Sequence, residues 1–161
     1  NLKEYSKIVS KFIKNKNAQI IFEPGRFIIG NTGILITKVI YIKKSSGKNF
    51  IILDAGMNDL MRPALYNAHH EIIPLKKTKK IMKGKIEFVG PVCESSDKFS
   101  NEKIFSQLKE GDYIALANVG AYGMSLSSNY NTRPTIAEVA VSGSNCKIIK
   151  KRQSLESLIN N

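Results

Sequence analysis

From residue 33 onward the chain is cut into short apolar or alternating runs, each closed by a turn signal, and few architectures accept that texture. Residues 33–44, 50–54, 71–75, 85–89, 112–118, 135–141 and 147–151 read as strands. Ser45-Ser46-Gly47-Lys48, Glu110-Gly111-Asp112 and Ser142-Gly143-Ser144-Asn145 separate some of them as turns. So many short strands predict a mainly β fold, a sandwich or a barrel. Short helices are expected at residues 59–65 and 155–159. The first 32 residues have another texture. Tyr5, Ile8, Val9, Phe12 and Ile13 fall at helical spacing with lysines on the other face, which predicts an amphipathic helix that packs on something. The apolar run 18–22 then reads as a strand buried on both faces, ended by Glu23-Pro24-Gly25-Arg26. Helix, loop, buried strand and loop make a fragment of α/β architecture.

Composition narrows the classes. The chain has 161 residues, is 42% hydrophobic and carries a net charge of +12. That is enough for one soluble globular unit with a sizeable core, and no apolar run approaches the ~20 residues of a membrane span. The basic excess would suit nucleic acid, but the lysines are scattered rather than gathered into a stripe. Lys76-Lys77, Lys79-Lys80 and Lys150-Lys151-Arg152 are read as solvated charges. Only Arg26, Arg62, Arg133 and Arg152 are arginines, and a planar fork in a lysine-rich chain marks a place where carboxylate or phosphate is gripped. Cys93 and Cys146 give neither a metal-ligand spacing nor a disulfide framework, so no metal is expected and a reducing, cytoplasmic setting is. Cys146 reads as a small core or edge residue. Asn1-Leu2-Lys3 has no initiator Met and no apolar leader, so a piece of a longer chain is expected.

Four segments are richer in reactive and turn-forming residues than strand ends require: Glu23-Pro24-Gly25-Arg26, Arg62-Pro63-Ala64-Leu65-Tyr66, Gly90-Pro91-Val92-Cys93-Glu94-Ser95-Ser96-Asp97 and Gly120-Ala121-Tyr122-Gly123. Singly, each is an ordinary turn or helix boundary. In this order, with Leu53-Asp54-Ala55-Gly56-Met57, Asn129-Tyr130-Asn131 and Arg133-Pro134, they resemble the C-terminal part of the fold-type III pyridoxal-phosphate decarboxylases, most closely the branch acting on diaminopimelate. The resemblance runs from about residue 18 to the end. It implies that residues 1–32 are the last helix, strand and loop of a (β/α)8 barrel that binds the cofactor, and that residues 33–161 are a β domain.

The resemblance also assigns roles. Pyridoxal phosphate draws electrons from an amino acid only while its ring nitrogen stays protonated, and a carboxylate beside that nitrogen keeps it so. Glu23, at the end of a barrel strand, would be that carboxylate. Gly25 would let backbone approach the cofactor phosphate, and Arg26 would reach that phosphate or a substrate carboxylate. Tyr122 would contact phosphate and substrate. Cys93 would return a proton to the α-carbon after carbon dioxide leaves, acting across a homodimer interface in the partner's site. A surface ion pair between Glu23 and Arg26, a buried inert thiol at Cys93 and an ordinary interface aromatic at Tyr122 are the plainer readings of the same residues.

Substrate choice follows from charge. Diaminopimelate ends in a second zwitterionic centre, and ornithine in a bare ammonium. Arg62 with Tyr66 can hold a distal carboxylate, and Glu94 a distal ammonium. The pair favours diaminopimelate, whose decarboxylation gives L-lysine. Decarboxylases of ornithine, arginine or a carboxylated polyamine stay open as alternatives, as does a non-catalytic module that regulates a full-length homologue. His69-His70 matches no catalytic position and is read as surface. The family's cofactor-linking lysine belongs to a barrel of ~250 residues that cannot fit here, so the chain alone is expected to be inactive.

Overall fold

The structure, a computed structural model, describes residues 1–160; Asn161, the last residue of the expected β domain, lies outside them. Six strands, β1 (Leu35–Ser45), β2 (Lys48–Leu53), β3 (Ile72–Pro74), β4 (Ile81–Val89), β5 (Lys98–Ser106) and β6 (Tyr113–Leu116), form one sheet in the order β3-β6-β1-β2-β4-β5. β2 and β4 run parallel and the other neighbours antiparallel. β7 (Glu138–Ser142) and β8 (Asn145–Lys150) form a separate hairpin. The mainly β expectation holds.

The shape is decided in β1. Its first residues, Leu35 to Lys38, pair with β6, and from Val39 onward it pairs with β2, with a register shift between Val39 and Tyr41. A bulge at a hand-over of this kind bends and twists the strand, so the sheet turns a corner and wraps into a nearly closed, barrel-like form. Val39, Ile51, Leu53, Ile86, Phe88, Ile114 and Leu116 fill the interior, with the Phe105 ring edge-on to Phe88 at 4.9 Å between centroids. Each of the larger side chains contributes about 1.5–3 kcal/mol by leaving water. The expected turn between β1 and β2 forms, with Ser46 and Gly47 both at positive φ as a tight hairpin demands.

Around the sheet lie α1 (Leu2–Ile13), α2 (Gly25–Ile29), α3 (Arg62–Tyr66) and α4 (Leu155–Ile159). α1 begins where the Asn1 side chain accepts the Lys3 N–H. It buries no side chain, and Tyr5, Ile8 and Phe12 stay exposed apart from an edge contact of Tyr5 with Phe22. No described helix is long and apolar enough to cross a membrane.

One expectation is corrected, and one strand is added. Residues 18–22 form no strand among the described residues, and Ile21 and Phe22 are exposed, because a strand meant for burial on both faces needs a neighbour on each side. Residues 1–32 are therefore helices and an unpaired segment in this structure, with no barrel strand. Cys146 is exposed on β8, a strand of the two-stranded hairpin, so of the two readings offered it is the edge residue. β5 was not expected from its sequence. It is a polar edge strand whose apolar Phe99, Ile104 and Phe105 do not alternate, because bulges shift its register with β4.

Candidate active site

Two glycines join the N-terminal segment to the sheet. The Gly120 N–H donates to the Gly30 carbonyl and the Val119 N–H to the Gly33 carbonyl, both at 3.0 Å. A Cβ on Gly120 would run into the Ile29 carbonyl oxygen, and one on Gly33 would stand 2.6 Å from the Gly120 nitrogen. Only glycine permits this backbone-to-backbone contact, which ties α2 to the loop bearing Tyr122. Tyr122 itself is exposed at φ 61, between buried Ala121 and Gly123. A ring-bearing residue rarely adopts that conformation, and such strain persists only where the surroundings impose it.

At the start of α2, Glu23, Gly25 and Arg26 are all exposed. Glu23 and Arg26 form no ion pair among the described residues, so the turn-closing pair considered above is not made. Gly25 has neither a positive φ nor any atom within 4 Å of where a Cβ would stand. Nothing in this chain requires glycine there. An acceptor, an open stretch of backbone and a guanidinium thus share one loop. That donor set fits the ring nitrogen and phosphate of a pyridoxal phosphate, with Tyr122 on the loop tied to it.

α3 carries Arg62 and Tyr66 four residues apart and so on one face. Pro63 suits the first turn, and Asn67, at φ 52, ends the helix in the left-handed conformation. Across from it, the segment 90–97 is folded around Asp97. This buried carboxylate accepts the Met57 N–H and the Val92 N–H, each at 2.7 Å, and crowds so closely on Gly90 that no side chain fits there. Burial pushes the Asp97 carboxyl up from its ordinary range, and the two N–H groups pull against that. The loop held this way projects Cys93 and Glu94 to the surface. The Cys93 thiol makes no hydrogen bond among the described residues, and its exposure sets aside the buried-thiol reading. Glu94 has the Ser95 hydroxyl at 3.3 Å and the Tyr130 hydroxyl at 3.5 Å. α3 and this loop wall one groove of about 550 Å³, lined in part by Pro63, Ala64, Asn67, His69, Ser95 and Ser96.

The sequence missed two residues. Asp97 stands in the segment 90–97 with nothing local in the sequence to mark its task. His70, read as surface, is 1% exposed. His70 and Ile72 lie two apart and both point inward, and that period was the available signal. His69 is exposed as expected. Arg133 uses its fork internally: its Nε donates to Asn58 Oδ1 at 3.0 Å and its Nη2 to the Asp54 carbonyl, with buried Asp59 3.9 Å away.

The sequence model of the pyridoxal-dependent decarboxylases, for their C-terminal sheet domain, matches residues 8–120. The chain belongs to that family. Because the match starts inside α1 and crosses residue 32, it draws no boundary there. Among curated relatives, a diaminopimelate decarboxylase of Aquifex aeolicus is 45% identical over 94% of this chain and 36% of its own length. That of Zymomonas mobilis is 45% identical over 99% and 37%. The crystal structure of diaminopimelate decarboxylase from Helicobacter pylori complexed with L-lysine superposes with a TM-score of 0.85 at 42% identity, covering 99% of this chain and 39% of that one. The chain therefore spans somewhat over a third of the length of these relatives.

Proposed function

We propose that this chain is the C-terminal sheet domain of a diaminopimelate decarboxylase, converting meso-diaminopimelate to L-lysine and carbon dioxide in the last step of lysine formation. The observation that carries the reading is the groove walled on one side by the helix of Arg62 and Tyr66 and on the other by the loop of Cys93 and Glu94. α3 bears a fork donor and the loop a carboxylate acceptor, and the two together suit a substrate end bearing both charges. The names of the 45% identical relatives support the same substrate.

Pyridoxal phosphate, when bound, supplies the electron sink for loss of the carboxylate. The chain's own residues do the rest. Glu23 would keep the ring nitrogen protonated, Gly25 would let backbone approach the phosphate, Arg26 would reach that phosphate or a substrate carboxylate, and Tyr122 would contact phosphate and substrate. Arg62, Tyr66 and Glu94 fix the distal end. Cys93 gives the proton to the α-carbon once carbon dioxide has left. Its exposure on a rigid loop suits action in a second subunit of a cytoplasmic homodimer. Residues 1–32 belong to the cofactor-binding barrel as its last segment, and residues 33–161 form the sheet domain. The exposed apolar residues of α1 and α2 support that division.

The test is kcat/KM on diaminopimelate and ornithine for the complete protein carrying this chain. L-lysine and carbon dioxide should form from the first substrate, with little turnover of the second. Preference for ornithine would overturn the reading. Arg62→Ala should cut diaminopimelate turnover by about 100-fold or more, because a desolvated carboxylate loses its charged partner.

A further inference from the structure

His70 belongs to none of the motifs, yet its surroundings define its state. Its Nδ1 lies 2.9 Å from the Ala117 carbonyl oxygen, just past the end of β6. A carbonyl only accepts, so Nδ1 carries the proton. Its Nε2 faces Arg62 Nη1 at 3.5 Å, and a guanidinium only donates, so Nε2 is the bare, accepting nitrogen. Two neighbours of opposite character thereby fix one neutral tautomer. Burial lowers the imidazole from its ordinary pKa, the hydrogen bond to the Ala117 carbonyl pulls against that, and Arg62 from α3, the adjacent His69 and Arg26 from α2 add to the lowering.

We propose that His70 is a positioning residue that holds one Nη of Arg62 and thereby aims the remaining N–H groups of the guanidinium at the distal carboxylate of the substrate. The inference rests on the substrate reading given above. A line of support runs from the sheet through the Ala117 carbonyl and His70 to Arg62, with the α3 end further held where the Ala68 N–H reaches the Arg62 carbonyl at 3.3 Å. The chemistry favours a neutral imidazole over a carboxylate at this place. An acid beside Arg62 would cancel its charge and compete with the substrate, whereas a neutral acceptor orients the fork and leaves its charge available.

The experiment compares His70→Asn, which keeps a donor to Ala117 but has no atom at the Nε2 position, with His70→Gln, whose longer amide can place an oxygen there. The complete, cofactor-loaded protein is titrated calorimetrically with L-lysine, which retains the distal carboxylate, and with 1,5-diaminopentane, which lacks it. His70→Asn should weaken L-lysine about tenfold and 1,5-diaminopentane by less than about twofold, with His70→Gln restoring most of the loss. KM for diaminopimelate should rise in His70→Asn with kcat little changed. Equal losses for both ligands, or no loss for either, would overturn the inference while leaving the substrate reading intact; wild-type protein that fails to bind L-lysine or to decarboxylate diaminopimelate would overturn that reading instead. Should His70→Asn not fold, the ring 15N shifts of His70 in wild-type protein still decide. The proton is expected on Nδ1, and a proton on Nε2 sinks the proposal.

Discussion

Asp97 sets the geometry of the most reactive loop without reaching solvent. Its two oxygens accept N–H groups from Met57 and Val92, forty and five residues away in sequence. Asp97→Asn would turn one of these acceptors into an NH2 that faces an N–H. That change should cost about 1–3 kcal/mol, read as a lower urea midpoint with an unchanged slope, and should lower turnover by misplacing Cys93. Two other groups separate on the pH axis. His70 is held below 6.5 by burial, so between that lowered value and 6.5 the unfolded chain binds the proton that the folded one refuses. The stability His70 contributes is complete above about 6.5 and is lost as pH falls toward the lowered value. Thermal scans of wild type should fall more steeply than those of His70→Gln as pH drops from 7 to 5. Glu87, held below 4.5 chiefly by the Lys48 ammonium at 2.8 Å, acts lower. Its contribution is full above about 4.5 and disappears as pH falls through its lowered value. A Lys48→Met variant should therefore differ from wild type only outside the acid limb. Identical stability at pH 7 would show the pair contributes nothing.

At the scale of elements, the same two-residue and 3.6-residue periods that made strands and α1 legible also explain where the sequence was silent. β1, β2, β6 and the β7–β8 hairpin have their apolar residues or turns where the pattern expects them, and α4 has its Ser154 cap. β5 hides because an edge strand needs little apolar surface, and the run 18–22 misleads because an apolar run is a strand only when something pairs with it. At the site, residue types and order revealed the four segments. What no local pattern carries is the contact between distant loops, such as Gly120 against Ile29 and Gly33, or His70 against Ala117. Two glycine variants separate packing from binding. Gly120→Ala should destabilise the chain and detach α2, because its new methyl meets the Ile29 carbonyl. Gly25→Ala meets no atom of this chain and should leave stability unchanged or raise it by about 0.5–1 kcal/mol, as helix propensity expects. In the complete protein it should nonetheless weaken pyridoxal phosphate, measured by cofactor fluorescence during dialysis. Unaltered cofactor affinity would mean that the open backbone at Gly25 does not serve the phosphate.

On the scale of the whole molecule, the described chain presents an unmatched apolar surface and a set of unmatched charges at the same time. Tyr5, Ile8, Phe12, Phe27 and Ile28 are exposed, and the side chains of Glu23, Arg26 and Cys93 make no hydrogen bond or ion pair among the described residues. Apolar patches of this kind mark interfaces. Glu23 and Arg26 are the charges expected to meet cofactor and substrate, and on the proposed reading the complete site is assembled from this domain, a cofactor-binding barrel and, for Cys93, a second subunit. Sharing across subunits makes a distinct prediction. Cys93→Ala in the complete protein should lower turnover far more than cofactor affinity, since the thiol moves a proton and holds nothing. Mixing that variant with one lacking the cofactor-linking lysine should restore part of the activity, because a hybrid dimer contains one site with both intact halves. For random exchange at equal concentrations, about half of the dimers are hybrids and each has one good site of two, so recovery should approach roughly a quarter of wild-type turnover. If mass spectrometry shows that subunits exchange and turnover still does not recover, Cys93 serves its own subunit, and the loop held by Asp97 must then face the barrel of the same chain.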